Sequence, residues 1–245
     1  MPLMRRQAPL AFFAALVCIL CFRSAAAEQF TPAQRAEIVD VIRDALKQDP
    51  SILRDAVAAL QADESKRQAQ NVVSHLDQMV GPADPVAGNP AGNVTIVEFF
   101  DVRCPYCRKL EPAMAQLLAG DHQVRLVYKD LPILGPASIL GSRALLAAQK
   151  QGGYEKLRDR LMQAPPDITE DTVRQAAQQT GLDWPRLKQD MDDAGIQQRL
   201  NANLALAREI GIEGTPALVV GGQFLPGAVD LPELQKAIAT ERAKG

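Results

Sequence analysis

The sequence is short of cysteine, histidine and aromatic residues, and these shortages limit the chemistry open to it. Its 245 residues include four cysteines, two histidines and one tryptophan, and aromatic residues make up 4%. A structural metal centre usually needs about four Cys, His or acidic ligands, so we expect none. Basic residues number 27 against 29 acidic ones. The composition therefore gives no positive excess for binding nucleic acid, and we expect no such partner.

The first 27 residues have the layout of a secretory signal peptide. Two early arginines precede an apolar run from Leu10 to Phe22, and residues 25–27 are alanines. An uncleaved membrane anchor is the alternative, but this run is short for a span of about 20 residues. We expect residues 1–27 to be a cleaved signal peptide, with Glu28 as the mature start and the protein in the periplasm or secreted.

Cleavage would leave Cys104 and Cys107 as the only two cysteines. It would also leave 24 basic and 29 acidic residues, a formal net charge of −5. Disulfides persist in exported proteins, yet two cysteines three positions apart provide no disulfide framework. An inert structural bridge is the alternative. A bridge that closes so small a loop constrains the unfolded chain little, which favours a redox role for the pair.

Residues 28–80 predict helix. Thr31 and Pro32 form a helix start, and narrow apolar stripes recur at helical spacing on either side of the polar stretch QADESKRQAQN (61–71). A narrow apolar stripe must be buried against something. It packs either on the main domain or on the same segment of other subunits, and we expect the second. Residues 28–80 are thus predicted to be an oligomerisation stalk.

A Gly- and Pro-rich stretch, GPADPVAGNPAGN (81–93), predicts a linker. From residue 94 to 245 the pattern is strand, helix, strand, a helical block over about 136–210, a hairpin and a last helix. The run VTIVEFF (94–100) suits a buried strand. The fold class is therefore α/β, preceded by an α-helical stalk.

The motif that carries chemistry is Cys104-Pro105-Tyr106-Cys107, which follows the buried strand and opens a helix. Residues i and i+3 of a first helical turn bring two sulfurs within bonding reach. Cys104 faces unpaired backbone N–H groups and the positive end of the helix dipole, both of which favour the reactive thiolate. Cys107 lies one turn further in. We predict that Cys104 forms a mixed disulfide and that Cys107 resolves it, giving a redox-active Cys104–Cys107 disulfide.

Two alternatives to redox work depend on neighbouring residues. A c-type haem needs histidine directly after the second cysteine, where Arg108 stands. Zinc would have to recruit His75 or His122, and His75 lies in the helical segment. We expect no metal and no cofactor, while transient copper binding by the two thiols stays open.

Two further sites support the redox interpretation. Glu98 lies inside the apolar strand, where burial would raise its pKa and make it a candidate proton carrier for Cys107. It would instead be inert if it pointed outward. Thr215 and Pro216 precede the strand ALVV (217–220). A cis Thr215–Pro216 bond would place backbone polar groups beside Cys104, although most X–Pro bonds are trans.

At these residues the chain resembles the thioredoxin superfamily and its DsbA-like branch, which has a helical insertion before the proline-containing strand. The resemblance covers residues 90–245. Two other stretches, FTPAQRAEIVDVI and GNPAGNVTIVEFF, resemble ScsC-type proteins. That resemblance implies disulfide isomerase activity and a helical stalk that forms oligomers, a trimer or dimer here. The DsbA-like resemblance is carried by VEFFDVRCPYC (97–107), RLVYKDLPILGP (125–136) and GIEGTPALVVGG (211–222).

Carried over onto matching positions, the family's site residues are the nucleophile Cys104, the resolving thiol Cys107, the potential-tuning dipeptide Pro105-Tyr106, the cis-proline loop Thr215-Pro216 and the buried acid Glu98. The strongest oxidants of the branch have Pro-His between the cysteines and Val before the proline. Tyr and Thr occupy those places here, as in the isomerases. The resemblance implies a milder oxidant, able to release a substrate and try again.

Three functions follow as hypotheses. The first is an envelope disulfide isomerase that acts on cysteines of exported proteins and is kept reduced by a membrane reductase. The second is a DsbA-like dithiol oxidase, recharged by a membrane oxidant. The third, from another class, is a chaperone-like or surface binding protein whose cysteines do no chemistry.

Overall fold

The computed structural model describes residues 30–244, and the expected signal peptide at 1–27 lies outside them. The chain divides into two compact units, the first ending at Leu60 and the second beginning at Gln61. Within residues 30–244, no helix combines the length and apolar character that crossing a membrane requires.

Two helices, α1 (Pro32–Gln48) and α2 (Ser51–Ser74), form the amino-terminal segment. Thr31 begins α1 with a capping box: its hydroxyl accepts from the Gln34 N–H at 3.3 Å, and the Gln34 side chain accepts from the Thr31 N–H at 2.9 Å. α1 buries none of its residues within the single chain. Its large apolar side chains are exposed at Ile38, Val39, Val41, Ile42 and Leu46.

The structure has five strands: β1 (Val86–Gly88), β2 (Val94–Phe100), β3 (Val124–Asp130), β4 (Ala217–Val220) and β5 (Gln223–Pro226). They form one sheet in the order β1-β3-β2-β4-β5. β2 and β3 are parallel, and the other three pairs are antiparallel. β2 lies at the centre with both faces covered, which explains its continuous apolar run.

Helices cover both faces of this sheet. One face packs against α4 (Pro105–Gly120), α10 (Leu231–Arg242) and most of the insertion between β3 and β4. The other face packs against Leu206 and Ala207, near the end of the insertion, and against the buried residues Val72 and Met79. The insertion comprises five helices between residues 136 and 209. The helices of the second unit after α2 are α3 (Leu76–Met79), α4 (Pro105–Gly120), α5 (Pro136–Gln149), α6 (Tyr154–Gln163), α7 (Glu170–Gln179), α8 (Trp184–Asp190), α9 (Ala194–Glu209) and α10 (Leu231–Arg242).

The predicted linker at 81–93 is wrong, because this stretch contains β1 and belongs to the sheet. Val86 pairs with Val127, and the strand ends at Gly88. Gly88 has a φ of +69°, and a Cβ there would lie 2.6 Å from a β3 carbonyl, so glycine is required by this close approach. Proline is tolerated beside an edge strand. The two compact units are divided at 60/61, within α2.

Candidate active site

The CPYC turn lies where β2 ends and α4 begins. Cys104 is the N-cap of α4, and Pro105 occupies the first helical turn. The Cys104 N–H donates to the Asp101 carbonyl at 2.9 Å, which fixes the turn. Both cysteines are free thiols. Cys104 is 5% exposed and Cys107 is fully buried, whereas the Tyr106 side chain is 61% exposed. Only Cys104 is therefore placed to meet a large substrate.

The two thiols differ strongly in acidity. The hydrogen bond from the Cys107 thiol lowers the pKa of Cys104 to about 5, with further help from the backbone N–H groups of Cys107 and Tyr106. Burial raises the pKa of Cys107 well above the ordinary thiol range, and the Cys104 and Glu98 side chains raise it further. At neutral pH Cys104 is a thiolate and Cys107 is its hydrogen-bond donor.

The loop before β4 lies against Cys104. The Thr215–Pro216 peptide is cis, and in the thiol form Cys104 Sγ donates to the Thr215 carbonyl at 3.2 Å. The Pro216 carbonyl accepts from the Gly227 N–H at 2.9 Å. Residues 111 positions apart in sequence are thus brought together, as the motifs predict.

Beside this loop lies a groove of about 850 Å³ that includes Thr215 and Pro216 in its wall. Polar side chains from α2 form the facing wall, and Gln68 Nε2 donates to the Gly211 carbonyl at 2.9 Å. The other lining residues are Glu64, Arg67, Asn71, Glu213, Gly214, Ala217, Phe224, Pro226 and Gly227.

Glu98 points inward and is completely buried. Burial raises its pKa to about 7, against the lowering effect of Arg158. Arg158 Nη2 lies 3.3 Å from Glu98 Oε2 and 2.6 Å from Glu111 Oε1. Glu111 is on α4 and is partly exposed, so the buried acid is connected to the surface through Arg158.

Sequence reasoning missed Arg158, which comes from α6 in the insertion. Its guanidinium lies over the rings of Phe100 and Tyr128, with its central carbon 4.7 Å and 4.2 Å from their centroids. In the sequence YEKLRDRLMQ, several other charged residues surround Arg158, so its burial is not obvious from the composition of the helix. The available signal was helical spacing, because Arg158 shares a face with the buried residues Tyr154 and Leu161.

Asp101 was also missed. Its Oδ1 accepts from the Arg103 N–H at 2.9 Å, and its Oδ2 accepts from the N–H groups of Ile133 and Leu134, each at 3.0 Å. The carboxylate therefore joins the active-site turn to the loop after β3. Among residues 30–244, no group of three or more His, Cys, Asp or Glu side chains is arranged to hold a metal ion.

Comparison with known proteins agrees with this geometry. The DSBA-like thioredoxin domain family matches residues 95–239, and the N-terminal domain of the copper resistance protein ScsC matches residues 34–69. A thioredoxin-like oxidoreductase from Silicibacter pomeroyi is 41% identical, with 66% of this chain and 94% of that chain covered and a TM-score of 0.65. Proteus mirabilis ScsC is 31% identical, with 88% and 98% covered and a TM-score of 0.66.

Among curated proteins, an Na(+)/H(+) antiporter NhaA from Salinispora tropica is 30% identical over 169 residues, 66% of this chain. The chain spans about a quarter of that relative's length, since the aligned part is 26% of it. The family match covers more than half of the chain and includes both cysteines and the Thr215-Pro216 loop. The chain belongs to the DSBA-like family of thiol–disulfide oxidoreductases and carries an amino-terminal segment of the ScsC type.

Proposed function

We propose that the chain is an exported disulfide isomerase that rearranges disulfides in other exported proteins. The observation that carries this proposal is the asymmetric pair of thiols beside the cis-proline loop. Cys104 is acidic and 3.2 Å from the Thr215 carbonyl, while Cys107 is buried and remains protonated. Cys104 is therefore suited to attack a client disulfide, and Cys107 is suited to resolve the mixed disulfide that forms.

The reaction begins when the Cys104 thiolate attacks one sulfur of a client disulfide. A bond forms between Cys104 and that sulfur, and the other client sulfur leaves as a thiolate. If a client thiolate then attacks the mixed disulfide, the client gains a new disulfide and Cys104 returns as thiolate. The net redox state does not change. Tyr106, exposed beside Cys104, and Thr215 are placed to contact the client.

Cys107 provides an exit from unproductive mixed disulfides. Its thiol must lose a proton to attack Cys104 Sγ, which releases a reduced client and leaves a Cys104–Cys107 disulfide. The carboxylate of Glu98 is the proposed proton acceptor, because it lies in the same buried region and titrates near neutral pH. Two electrons from a membrane reductase then restore the dithiol.

The exposed apolar face of α1 supports self-association. Large apolar side chains in residues 30–60 lie in water within a single chain, and a patch of this kind marks an interaction site. We propose that copies of this segment pack together as a trimer or dimer. Several active sites would then surround one misfolded client. We also propose export to the periplasm, because residues 1–27 have the sequence layout of a signal peptide.

A dithiol oxidase is the second candidate, and the acidity of Cys104 favours it. Stabilising the thiolate stabilises the reduced protein, which makes its disulfide more oxidising. The two candidates differ in their need for the amino-terminal segment, because isomerisation gains from several sites per client and simple oxidation does not.

Refolding of scrambled ribonuclease tests the proposal. The mature protein should restore ribonuclease activity, Cys104→Ser should not, and a protein lacking residues 30–60 should be slower by about tenfold or more. If the rates with and without residues 30–60 are equal and a reduced peptide is oxidised rapidly, the isomerase proposal is rejected in favour of a dithiol oxidase. If the Cys104→Ser variant still restores ribonuclease activity, both the isomerase and the oxidase proposals are rejected.

A further inference from the structure

Arg108 directly follows the CPYC motif, and its guanidinium is bonded to backbone carbonyls on both sides. Its Nη2 donates to the Val102 carbonyl, just before the motif, at 3.2 Å. On the insertion, Nη2 also donates to the Leu161 carbonyl at 3.4 Å, and Nη1 donates to the Ala164 carbonyl. The Arg108 N–H donates to the Cys104 carbonyl at 3.2 Å. The charged group is thus held between the turn and the end of α6.

Arg103 directly precedes Cys104 and is held in the same way. Its Nε donates to the Pro166 carbonyl at 2.6 Å, and its Nη1 donates to the Leu134 carbonyl at 2.6 Å. Among residues 30–244, neither of the two arginines forms an ion pair with a carboxylate. Carbonyl groups carry no net charge, so they orient the two guanidinium groups without neutralising them.

The acidic side chains around the turn are engaged elsewhere or lie in water. The Asp101 carboxylate accepts from three backbone N–H groups, and Glu98 is paired with Arg158. Glu213 before the cis-proline and Asp167 on the insertion are exposed, where salt and water screen their charge. The two partly buried guanidinium groups therefore keep a net positive charge beside the reactive sulfur.

These two groups and the sulfur are close enough to interact. Burial lowers the pKa of Arg108, and the positive charge of Arg103 lowers it further, whereas the charge on Cys104 raises it. Two like charges held near each other are unfavourable unless an anion offsets them. The Cys104 thiolate is such an anion.

We propose that Arg103 and Arg108 are positioning residues whose uncompensated charge stabilises the sulfur anion of Cys104 and makes it a good leaving group. The inference rests on the proposed function for the identity of the client. When a client thiolate attacks the client sulfur of the mixed disulfide, a new client disulfide forms and Cys104 leaves as thiolate. A more stable thiolate leaves faster, so the two charges shorten the lifetime of mixed disulfides.

Variants that remove or keep the charge test this role. Arg108→Met should raise the pH midpoint of Cys104 alkylation by iodoacetamide by about one pH unit. Its equilibrium constant with glutathione should shift about tenfold toward the Cys104–Cys107 disulfide, which corresponds to about 30 mV. Arg103→Met should act in the same direction. Arg108→Lys keeps the charge, and Lys109→Met removes a charge from the exposed next position, so both midpoints should stay within about 0.3 pH units of the wild type.

Release of a bound thiol gives a second measurement. With Cys107→Ser present, free glutathione thiolate attacks the glutathione sulfur of a Cys104–glutathione disulfide, oxidised glutathione forms and Cys104 leaves as thiolate. Adding Arg108→Met should slow this release about threefold, because the leaving thiolate is less stable. Adding Arg108→Lys should leave the rate near that of the Cys107→Ser protein.

Other outcomes separate this inference from the proposed function. Equal midpoint changes for Arg108→Met and Arg108→Lys would show that Arg108 acts only by bonding the turn, which overturns the inference. An unchanged midpoint in Arg108→Met also overturns it, while refolding of scrambled ribonuclease by the wild type would leave the proposed function in place. If the predicted midpoint changes occur and the wild type does not refold ribonuclease, the proposed function fails and the charge effect on Cys104 stands. Arg103→Met decides if Arg108→Met does not fold.

Discussion

Arg158 on α6 and Glu98 on β2 form an ion pair at 3.3 Å with both side chains almost wholly removed from water. The pair links the helical insertion to the strand that precedes the CPYC turn. A buried ion pair adds little net stability, because desolvating the charges offsets their attraction, but breaking one is costly. The stability of the protein should therefore depend both on Arg158 and on the protonation state of Glu98.

Replacing Arg158 by methionine should lower the free energy of unfolding by about 3–5 kcal/mol, because Glu98 would be left buried without a partner. The substitution also removes the contacts with the Phe100 and Tyr128 rings. Denaturant unfolding measures the change. Arg160→Met, two residues along the same helix and exposed, should change stability by less than about 0.5 kcal/mol. Adding Glu98→Leu to Arg158→Met should recover part of the loss, and a purely additive double variant would contradict the coupling.

Glu98 should make the protein less stable as the pH rises. Burial raises its pKa to about 7, from an unfolded value near 4.3. The stability that protonated Glu98 contributes to the free energy of unfolding is therefore complete below about pH 4, and it is lost as the pH rises through 7. Relative to Glu98→Gln, the free energy of unfolding of the wild type should fall by about 3 kcal/mol between pH 4 and 8. Asp130, also raised, to about 6, is present in both proteins and cancels from the difference. Parallel pH profiles would show that Glu98 does not titrate in this range.

Cys107 should control the acidity of its neighbour. Its hydrogen bond is the main cause of the lowered pKa of Cys104, so Cys107→Ala should raise that pKa by at least about one unit. Cys107→Ser keeps an O–H donor and should stay nearer to the wild-type midpoint, close to pH 5. The rate of alkylation by iodoacetamide, measured between pH 3 and 10, reports each midpoint. Identical midpoints for alanine and serine would show that helix position alone sets the acidity.

Charges on the exposed face of α1 should dissociate the proposed oligomer without unfolding the chain. Val41 is 64% exposed, so Val41→Asp removes no packing within one subunit but would bury a charge between subunits. Light scattering should show a monomer mass for Val41→Asp and an oligomer mass for Asp44→Ser, a polar control on the same helix. A wild-type protein of monomer mass at micromolar concentration would end the stalk hypothesis.

Gly141 should be intolerant of even one methyl group. A Cβ there would lie 2.6 Å from Val102 Cγ1, directly behind the active-site turn. We expect Gly141→Ala to lower stability by about 1–3 kcal/mol through overpacking, although alanine normally favours a helix. Gly120→Ala, also helical and with nothing within 4 Å of the new Cβ, should be neutral or stabilising. Thermal unfolding of the two variants gives the comparison.

Local patterns were enough to predict most of this fold. The strands at 94–100 and 217–220 have the predicted bounds, because short β-branched runs between turn residues leave few alternatives. The CPYC turn followed from a strand directly before a helix start. The proximity of Thr215 to Cys104 was expected if the Thr215–Pro216 bond was cis, and the family resemblance supported that expectation.

Long-range polar contacts could not be predicted in this way. Arg158 is 60 residues from Glu98, and only the helix face that it shares with Tyr154 and Leu161 distinguishes it within its own helix. The other four charged residues of that helix, Glu155, Lys156, Asp159 and Arg160, are exposed. Asp101 resembles an ordinary turn residue until the loop at 133–134 folds onto it. β1 is three residues long and lies in a stretch whose composition indicates a loop, so only its pairing with β3 identifies it.

The early boundary between the units bears on how the protein can be cut. A fragment starting at residue 94 would lose β1 and leave the backbone of β3 as an open sheet edge. It would also uncover the apolar surface against which Val72 and Met79 are buried. Open edges of this kind recruit strands from other molecules. Proteolysis within 81–93 would accordingly produce an aggregating species rather than a free enzyme, whereas a cut near residue 60 would leave the sheet sealed.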